Sequence, residues 1–280
     1  MSDREIRQSG SSLFASGKSL IEDTLQKFTD HECALRAAGL AYHLLLSLFP
    51  LLLFLVFLGS RFLSSEGVQQ SLSRYLEEVM PAAASGVGIF LDQTLKARGG
   101  VGVISGVLLI WSASAVFTSL SSTLNVIWEA SPRSFWQRRI VAIVTVLVVG
   151  SLYIISIWLS TLTSWSWSGI DSTVWRWLKF GLDLLVIIIL FALLYRMIPN
   201  RSVPWRFALV GAFLAAILWQ AAQVGLVWFL ASGFANYGLV YGSLTSIVTL
   251  MLWTYLSAVI LFLGATLGSV LEIRSQSPSG

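Results

Sequence analysis

The sequence predicts an all-α membrane protein with six transmembrane helices. Hydrophobic residues make up 56% of the 280 positions and charged residues only 11%, against about 25% charged in ordinary soluble domains. The apolar residues also occur in long runs, and about 20 such residues in a helix cross the hydrocarbon core of a bilayer. One soluble core cannot bury this much apolar surface, so the runs are expected to span a membrane. The predicted spans cover residues 36–59, 99–120, 140–162, 175–198, 207–231 and 241–271.

The first span carries a polar stripe. It reads RAAGLAYHLLLSLFPLLLFLVFLG, and His43, Ser47 and Pro50 recur at helical spacing on one side of it. Pro50 also removes a backbone N–H donor from the middle of the helix. A stripe of this kind is expected to face protein or water in preference to lipid.

Polar segments lie on either side of the first span. Residues 1–34, expected to be cytoplasmic, hold an amphipathic stretch at 18–28. That stretch predicts a short helix that either lies on the membrane surface or packs against the ends of other spans. Residues 66–98 show helical spacing before and after Pro81, which predicts an amphipathic cap on the outer membrane face. A lid over a cavity and a passive interfacial hairpin both fit this cap. The final residues, 273–280, are expected to form a disordered tail.

Small and polar residues mark the middle spans. In the second span Gly102 and Gly106 form a GxxxG step, which favours close helix packing, although the serines of this span would also suit a wet path. The third span has a polar face, and the four tryptophans that follow it between 165 and 177 are typical of an aromatic belt. The fourth span contains Asp183, which is either paired locally with Lys179 or part of a proton or substrate site.

The last two spans combine small residues with buried amides. A row of alanines in the fifth span continues into Gln220 and Gln223, whose amides need partners at membrane depth. The last run contains a second GxxxG step at Gly264 and Gly268. It is longer than a bilayer core requires, so its helix is expected to be tilted, to extend beyond the membrane or to be interrupted.

The distribution of charge orients the chain and excludes some partners. When the N-terminus is placed in the cytoplasm, the inner segments hold most of the lysines and arginines, so both termini are predicted to be cytoplasmic. These charges lie in short loops and not on one face, so no nucleic-acid partner is expected. The ligand-type residues His31, Glu32 and Cys33 are adjacent and point in different directions on a helix. We therefore expect neither a metal site nor a cofactor.

Four stretches stand out when they are taken together in order: LAYHLLLSLFPLLLFL, WSASAVFTSLSSTLNVIWE, YRMIPNRSVPWR and VYGSLTSIVTLMLWTYLSAVILFLGATL. Together they resemble the YihY/BrkB family over residues 34–272. The resemblance implies a six-helix, multi-pass protein of the bacterial cytoplasmic (inner) membrane. Members of that family are often labelled ribonuclease BN or virulence factor, and proposals for them include envelope-lipid transport and serum resistance.

The resemblance can be followed position by position. The residues that match the family pattern are Ser47, Pro50, Trp111, Asn125, Pro199, Asn200, Gly211, Tyr241, Gly242, Trp253, Gly264 and Ala265. The chain departs from the pattern at His43, where a second tyrosine is expected after Tyr42. It also reads GATLG from Gly264 where relatives resemble GAELN. A role that rests on that carboxylate is not carried over to this chain.

The leading functional hypothesis is a transporter or lipid-translocating protein with a polar cavity inside the helix bundle. Its expected partners are the lipid bilayer and an envelope lipid or small anionic solute. The alternative is a non-transporting scaffold or envelope assembly factor, whose small-residue ridges bind a partner protein or a second copy of the chain. We expect no enzyme, because phosphodiester hydrolysis needs several metal ligands or an acid and base pair around the phosphate.

The hypotheses assign residues to two groups. The candidate residues of the cavity or substrate path are His43, Ser47, Pro50, Asn125, Asp183, Asn200, Gln220, Gln223 and Tyr241. The candidate helix-packing residues are Gly102, Gly106, Gly211, Gly264 and Gly268.

Overall fold

The computed structural model describes residues 3–62, 101–132, 134, 136, 137, 139–145, 148, 150, 151, 172–231 and 245–276. These residues are mainly helical, and no strand occurs among them. The long helices are α1 (Asp3–Asp30), α2 (Cys33–Phe62), α3 (Val101–Ile127), α4 (Ser172–Met197), α5 (Trp205–Ala231) and α6 (Thr245–Gln276). The described residues from 139 to 151 are helical as well.

Within the described ranges, five helices are long and apolar enough to cross a membrane. The corresponding segments are Cys33–Leu51, Gly106–Ile127, Phe180–Met197, Trp205–Phe229 and Ile247–Gln276. An all-helical chain with several membrane-spanning segments is therefore the architecture. The predicted span 140–162 is only partly described, and the predicted cap at 66–98 lies outside the described residues.

Several helices extend beyond the predicted boundaries. Helix α1 covers 28 residues, so the stretch at 18–28 is part of a longer helix. Helix α3 runs on past the predicted end at residue 120 to Ile127, which places Asn125 inside a helix. Helix α6 is continuous over its 32 residues and includes 273–276 of the expected tail. Polar residues at these helix ends hydrogen-bond to other elements. Hydropathy does not reveal such bonds, so it places the helix ends too early.

The end of α3 is closed by a Schellman motif. The N–H of Ala130 donates to the carbonyl of Asn125 at 2.8 Å, and the N–H of Glu129 donates to that of Val126 at 3.1 Å. Glu129 has a φ of 51°, a left-handed conformation that usually falls to glycine. This conformation is unfavourable for a glutamate. The Glu129 carboxylate forms an ion pair with Lys27 at 2.7 Å, and that contact offsets the backbone strain.

By internal contacts the chain divides into two compact units. The first unit comprises Met1–Arg36, Ser121–Ala222 and Val259–Gly280, and the second comprises Ala37–Leu120 and Gln223–Ala258. The buried side chains of the first unit include large ones, among them Leu124, Trp128, Tyr195, Ile198 and Phe262. The second unit buries small residues such as Ala41 and Ser112.

Close contact between α5 and α6 organises the core of the first unit. A β-carbon built on Gly264 would lie 2.6 Å from the carbonyl oxygen of Gly211 and 2.8 Å from the β-carbon of Ala215. One built on Gly268 would lie 2.8 Å from the carbonyl oxygen of Phe207 and 3.1 Å from the Trp128 ring. The glycines therefore let two backbones approach to a distance that no side chain permits.

Candidate functional site

The first unit contains a set of charged and polar side chains where α1, α3 and α6 end. We call this set the ionic cluster and define it as Lys27, Glu129, Arg201, Ser269 and Glu272. Lys27 lies on α1, Glu129 follows α3, Arg201 lies between α4 and α5, and the other two lie on α6. The cluster therefore joins four separate parts of the chain.

Lys27 is the centre of one half of the cluster. Its side chain is only 13% exposed, and its ammonium donates to a Glu129 carboxylate oxygen at 2.7 Å and to the Ser269 hydroxyl at 2.9 Å. The Ser269 hydroxyl in turn donates to the carbonyl of Ile127 at 2.8 Å. A buried ammonium needs such partners because desolvation penalises its charge. The second half of α1 thus packs against α3 and α6, which is one of the two arrangements that the sequence left open.

Arg201 is the centre of the other half. One guanidinium nitrogen donates to the carbonyl of Trp128 at 2.9 Å, and another donates to Glu272 Oε1 at 2.6 Å. The Glu272 side chain is 5% exposed, and its second oxygen has no hydrogen-bond partner among the described residues. Arg201 therefore supplies the positive charge that pairs with this buried side chain.

The structure brings together two of the predicted cavity residues, Asn125 and Asn200. The side-chain oxygen of Asn125 accepts the backbone N–H of Asn200 at 2.7 Å, and the Asn200 amide donates to the carbonyl of Ser131 at 3.0 Å. Asn125 is buried. Both amides thus hold the turn between α4 and α5 against the end of α3, a structural task that the sequence did not assign to them.

The predicted stripe on α2 lies in the second unit. His43 and Ser47 are half-buried, and the His43 ring meets the edge of Tyr42 at a centroid distance of 5.7 Å. The Ser47 hydroxyl donates to the carbonyl of Leu44 in its own helix at 2.7 Å. Pro50 lies inside α2, which continues as a helix beyond it. His43 is therefore the member of the stripe whose polar atoms are not used within the helix backbone.

The other predicted cavity residues are dispersed. Asp183 and Gln220 are half-buried and belong to the ranges of the first unit, whereas Gln223 is exposed and belongs to those of the second. Tyr241 lies outside the described residues, whereas Gly102 lies near the start of α3. In the second unit, Gly106 has the Phe54 ring as its neighbour, at 3.6 Å from a built β-carbon.

Acidification is expected to destabilise the folded chain, beginning near neutral pH. Burial lowers the pKa of His31 below its ordinary value of 6.5, and Lys27 lowers it further, against smaller opposing effects of Glu129 and Asp30. The unfolded chain therefore takes up this proton first, and the stability present above pH 6.5 is lost as the pH falls towards the folded pKa. Melting temperatures in detergent between about pH 7.5 and 5 should show the decline.

Two variants separate the contributions to this pH dependence. His31→Gln should remove the decline that begins near pH 6.5. The hydrogen bond from Lys27 lowers the pKa of Glu129 below its ordinary 4.5, so its contribution is lost only at more acidic pH. Glu129→Gln should therefore leave the His31 step in place. An unchanged slope in His31→Gln would contradict the assignment.

Sequence reasoning missed the ionic cluster. Lys27 and Glu129 are 102 residues apart, and Arg201 and Glu272 are 71 apart, so no local spacing links them. The sequence did offer one signal, a charged residue directly at the end of an apolar helix. Such a charge is energetically costly unless an opposite charge pairs with it. Among the described residues, no group of three or more His, Cys, Asp or Glu side chains is placed to hold a metal ion.

Comparisons with known proteins cover nearly the whole chain. The family model described as virulence factor BrkB matches residues 24–279. The chain is 33% identical over 273 residues to a ribonuclease-like protein, YfkH, of Bacillus subtilis (strain 168), with 93% of this chain and 98% of that protein covered. It is 27% identical to a UPF0761 membrane protein of Vibrio campbellii, with 90% and 82% covered. A UPF0761 membrane protein of Xanthomonas campestris is 28% identical, and the match spans 60% of its length. No solved structure matches.

Proposed function

We propose that this chain, which belongs to the BrkB family of membrane proteins, moves a lipid or a small anionic solute across the cytoplasmic membrane. One observation carries the proposal: two polar side chains within apolar segments of the second unit are half-buried or exposed. These are His43 in the segment Cys33–Leu51 and Gln223 in the segment Trp205–Phe229.

A polar group without a hydrogen-bond partner is costly inside a membrane. An amide transferred from water into hydrocarbon without a hydrogen bond costs about 4 to 8 kcal/mol. Gln223 is surrounded in sequence by exposed apolar side chains, among them Val224 and Val227. An uncovered amide in such a helix is retained where it meets water or a polar ligand. A substrate path supplies both, and this is the reason for placing the path in the second unit.

The first unit is anchored by its own internal contacts. The ionic cluster and the contact between α5 and α6 tie its elements together through buried charges and glycine backbones. The basic residues of this unit, in α1 and around Arg201, favour its placement on the cytoplasmic side. Under this proposal both chain termini are cytoplasmic.

The scaffold alternative requires small-residue surfaces that a partner can occupy. Gly264 already lies against Gly211, and Gly268 lies against Phe207 and Trp128. Three of the five glycines proposed as packing residues are thus used inside the chain. We therefore prefer transport to a scaffold built on these ridges.

His43→Phe and Gln223→Leu are expected to slow transport by about ten-fold or more, because each removes a polar contact from the path. The measurement uses the purified chain in liposomes with a fluorescent phosphatidylglycerol and a fluorescent small anion, with and without a proton gradient. Leu46→Phe and Val224→Leu are the matched controls, since they alter exposed apolar neighbours on the same helices and should transport at the native rate.

Two results would contradict the proposal. One is a native chain that moves neither probe under any gradient. The other is transport by both polar variants at the rate of the controls. Crosslinking of a partner protein from position 223 in the first case would favour the scaffold.

A further inference from the structure

The end of α4 and the start of α5 form a basic and aromatic surface. We call it the arginine–tryptophan patch and define it as Arg196, Trp205 and Arg206. The stretch YRMIPNRSVPWR contains three arginines and no acidic residue. Glu272 neutralises Arg201 at 2.6 Å, whereas no acidic partner of Arg196 or Arg206 is found in the part of the chain that the structure describes. Within the described part of the chain, the two positive charges of the patch are therefore not compensated by an acidic side chain.

The guanidinium groups of Arg196 and Arg206 are held in place by contacts that occupy few of their N–H donors. Arg196 donates one hydrogen bond to the carbonyl of Val203 at 2.5 Å, and its Cζ lies 4.6 Å from the centroid of the Trp205 ring. The Cζ of Arg206 lies 4.4 Å from the centroid of the Phe207 ring. Because a guanidinium has five N–H donors, most of them remain available on both side chains. Stacking on an aromatic ring lowers the entropy that binding an anion would cost.

The patch lies at the ends of two apolar segments. Arg196 is in the last turn of Phe180–Met197, and Trp205 begins Trp205–Phe229. The Trp205 side chain is 47% exposed, and exposed tryptophans at helix ends are typical of the headgroup level of a bilayer. The amide of Asn200 also ties this turn to Ser131, and three further arginines follow Ser131 within eight positions of the sequence.

An exposed apolar stripe continues from the patch along α5. Leu209, Phe213 and Ile217 follow Trp205 at intervals of one helical turn, and all three are exposed. The surface therefore pairs a site for a negative charge with a strip for a hydrocarbon chain. A soluble anion would use only the first of these features, whereas an anionic phospholipid would use both.

We propose that the arginine–tryptophan patch binds the phosphate of an anionic phospholipid headgroup, with an acyl chain along Leu209, Phe213 and Ile217. Guanidinium groups donate paired hydrogen bonds to phosphate oxygens. The Trp205 indole packs beside the lipid at the headgroup level. The site holds a resident lipid in the first unit and does not depend on whether the second unit transports anything.

The test compares lipid retention by native mass spectrometry. The purified chain is incubated with mixed micelles of phosphatidylglycerol or of phosphatidylcholine, and the retained lipids are counted. Arg206→Gln should weaken phosphatidylglycerol retention about five-fold, and the double variant Arg196→Gln/Arg206→Gln about 25-fold. The matched control Lys18→Gln/Arg274→Gln also removes two positive charges, but from side chains that already pair with Glu22 and Asp23, and should retain lipid as the native chain does.

Further arms identify the ligand. Arg206→Lys keeps the charge and should give intermediate retention, because it loses the paired donors. If Arg196→Gln unfolds the chain, the retention measured for Arg206→Gln tests the proposal by itself. Arg206 is exposed and contacts the Phe207 ring, so this variant should fold. Equal retention of phosphatidylcholine, equal loss in the control variant, or displacement of the lipid by soluble glycerol phosphate would each overturn the proposal.

Discussion

Replacing Gly264 with alanine is expected to lower the free energy of unfolding by about 2 to 3 kcal/mol. The added methyl group would lie 2.6 Å from the backbone oxygen of Gly211 and 2.6 Å from the Tyr195 hydroxyl. Neither neighbour can yield easily, because one is helix backbone and the other donates to the carbonyl of Leu261 at 2.7 Å. The two helices must therefore separate. Denaturant titration of the purified chain in detergent measures the change.

Gly225→Ala on α5 is the matched control for this experiment. A β-carbon at Gly225 would meet no atom within 4 Å, so the substitution only removes the conformational freedom of a helical glycine. It should leave stability unchanged or raise it by up to about 1 kcal/mol. A Gly264→Ala variant as stable as Gly225→Ala would mean that α5 and α6 do not approach as closely as described.

Replacing Arg201 with alanine is expected to cost about 3 kcal/mol of folding free energy. The variant leaves the Glu272 carboxylate, which is 5% exposed, without a cation, and it removes a donor from the carbonyl of Trp128. We expect the lower end of the range for broken buried pairs because the Arg201 side chain is itself 36% exposed. The same denaturant titration measures this loss.

A second ion pair of the same unit provides the comparison. Arg274 pairs with Asp23 at 2.5 Å, and the Asp23 side chain is 50% exposed, against 5% for Glu272. Arg274→Ala should therefore cost no more than about 1 kcal/mol. The double variant Arg201→Met/Glu272→Met should recover most of the loss, since it removes both buried charges together. Equal losses from Arg201→Ala and Arg274→Ala would show that the burial of Glu272 is not what makes its pair important.

The polar residues inside the apolar runs show how far sequence reasoning reaches. It identified Asn125 and Ser47 as costly polar groups, because a polar atom in a hydrophobic helix is visible in the sequence itself. It did not identify their partners. Asn125 is satisfied by the backbone of Asn200, 75 residues away, and Ser47 by a carbonyl in its own helix. The sequence does not distinguish a distant hydrogen-bond partner from one in the same helix, because in both cases it shows only a polar residue within an apolar run.

The sequence by itself determined that this is an all-helical membrane protein, approximately where its described helices lie, and which family pattern it follows. These properties follow from hydropathy and helical periodicity, which are local and can be summed along the chain. Only the tertiary structure decided which charges at the helix ends neutralise one another and which glycines carry a helix contact. Lys27 with Glu129, Arg201 with Glu272, and Gly211 with Gly264 are pairs of distant residues, and their interaction depends on how the helices pack.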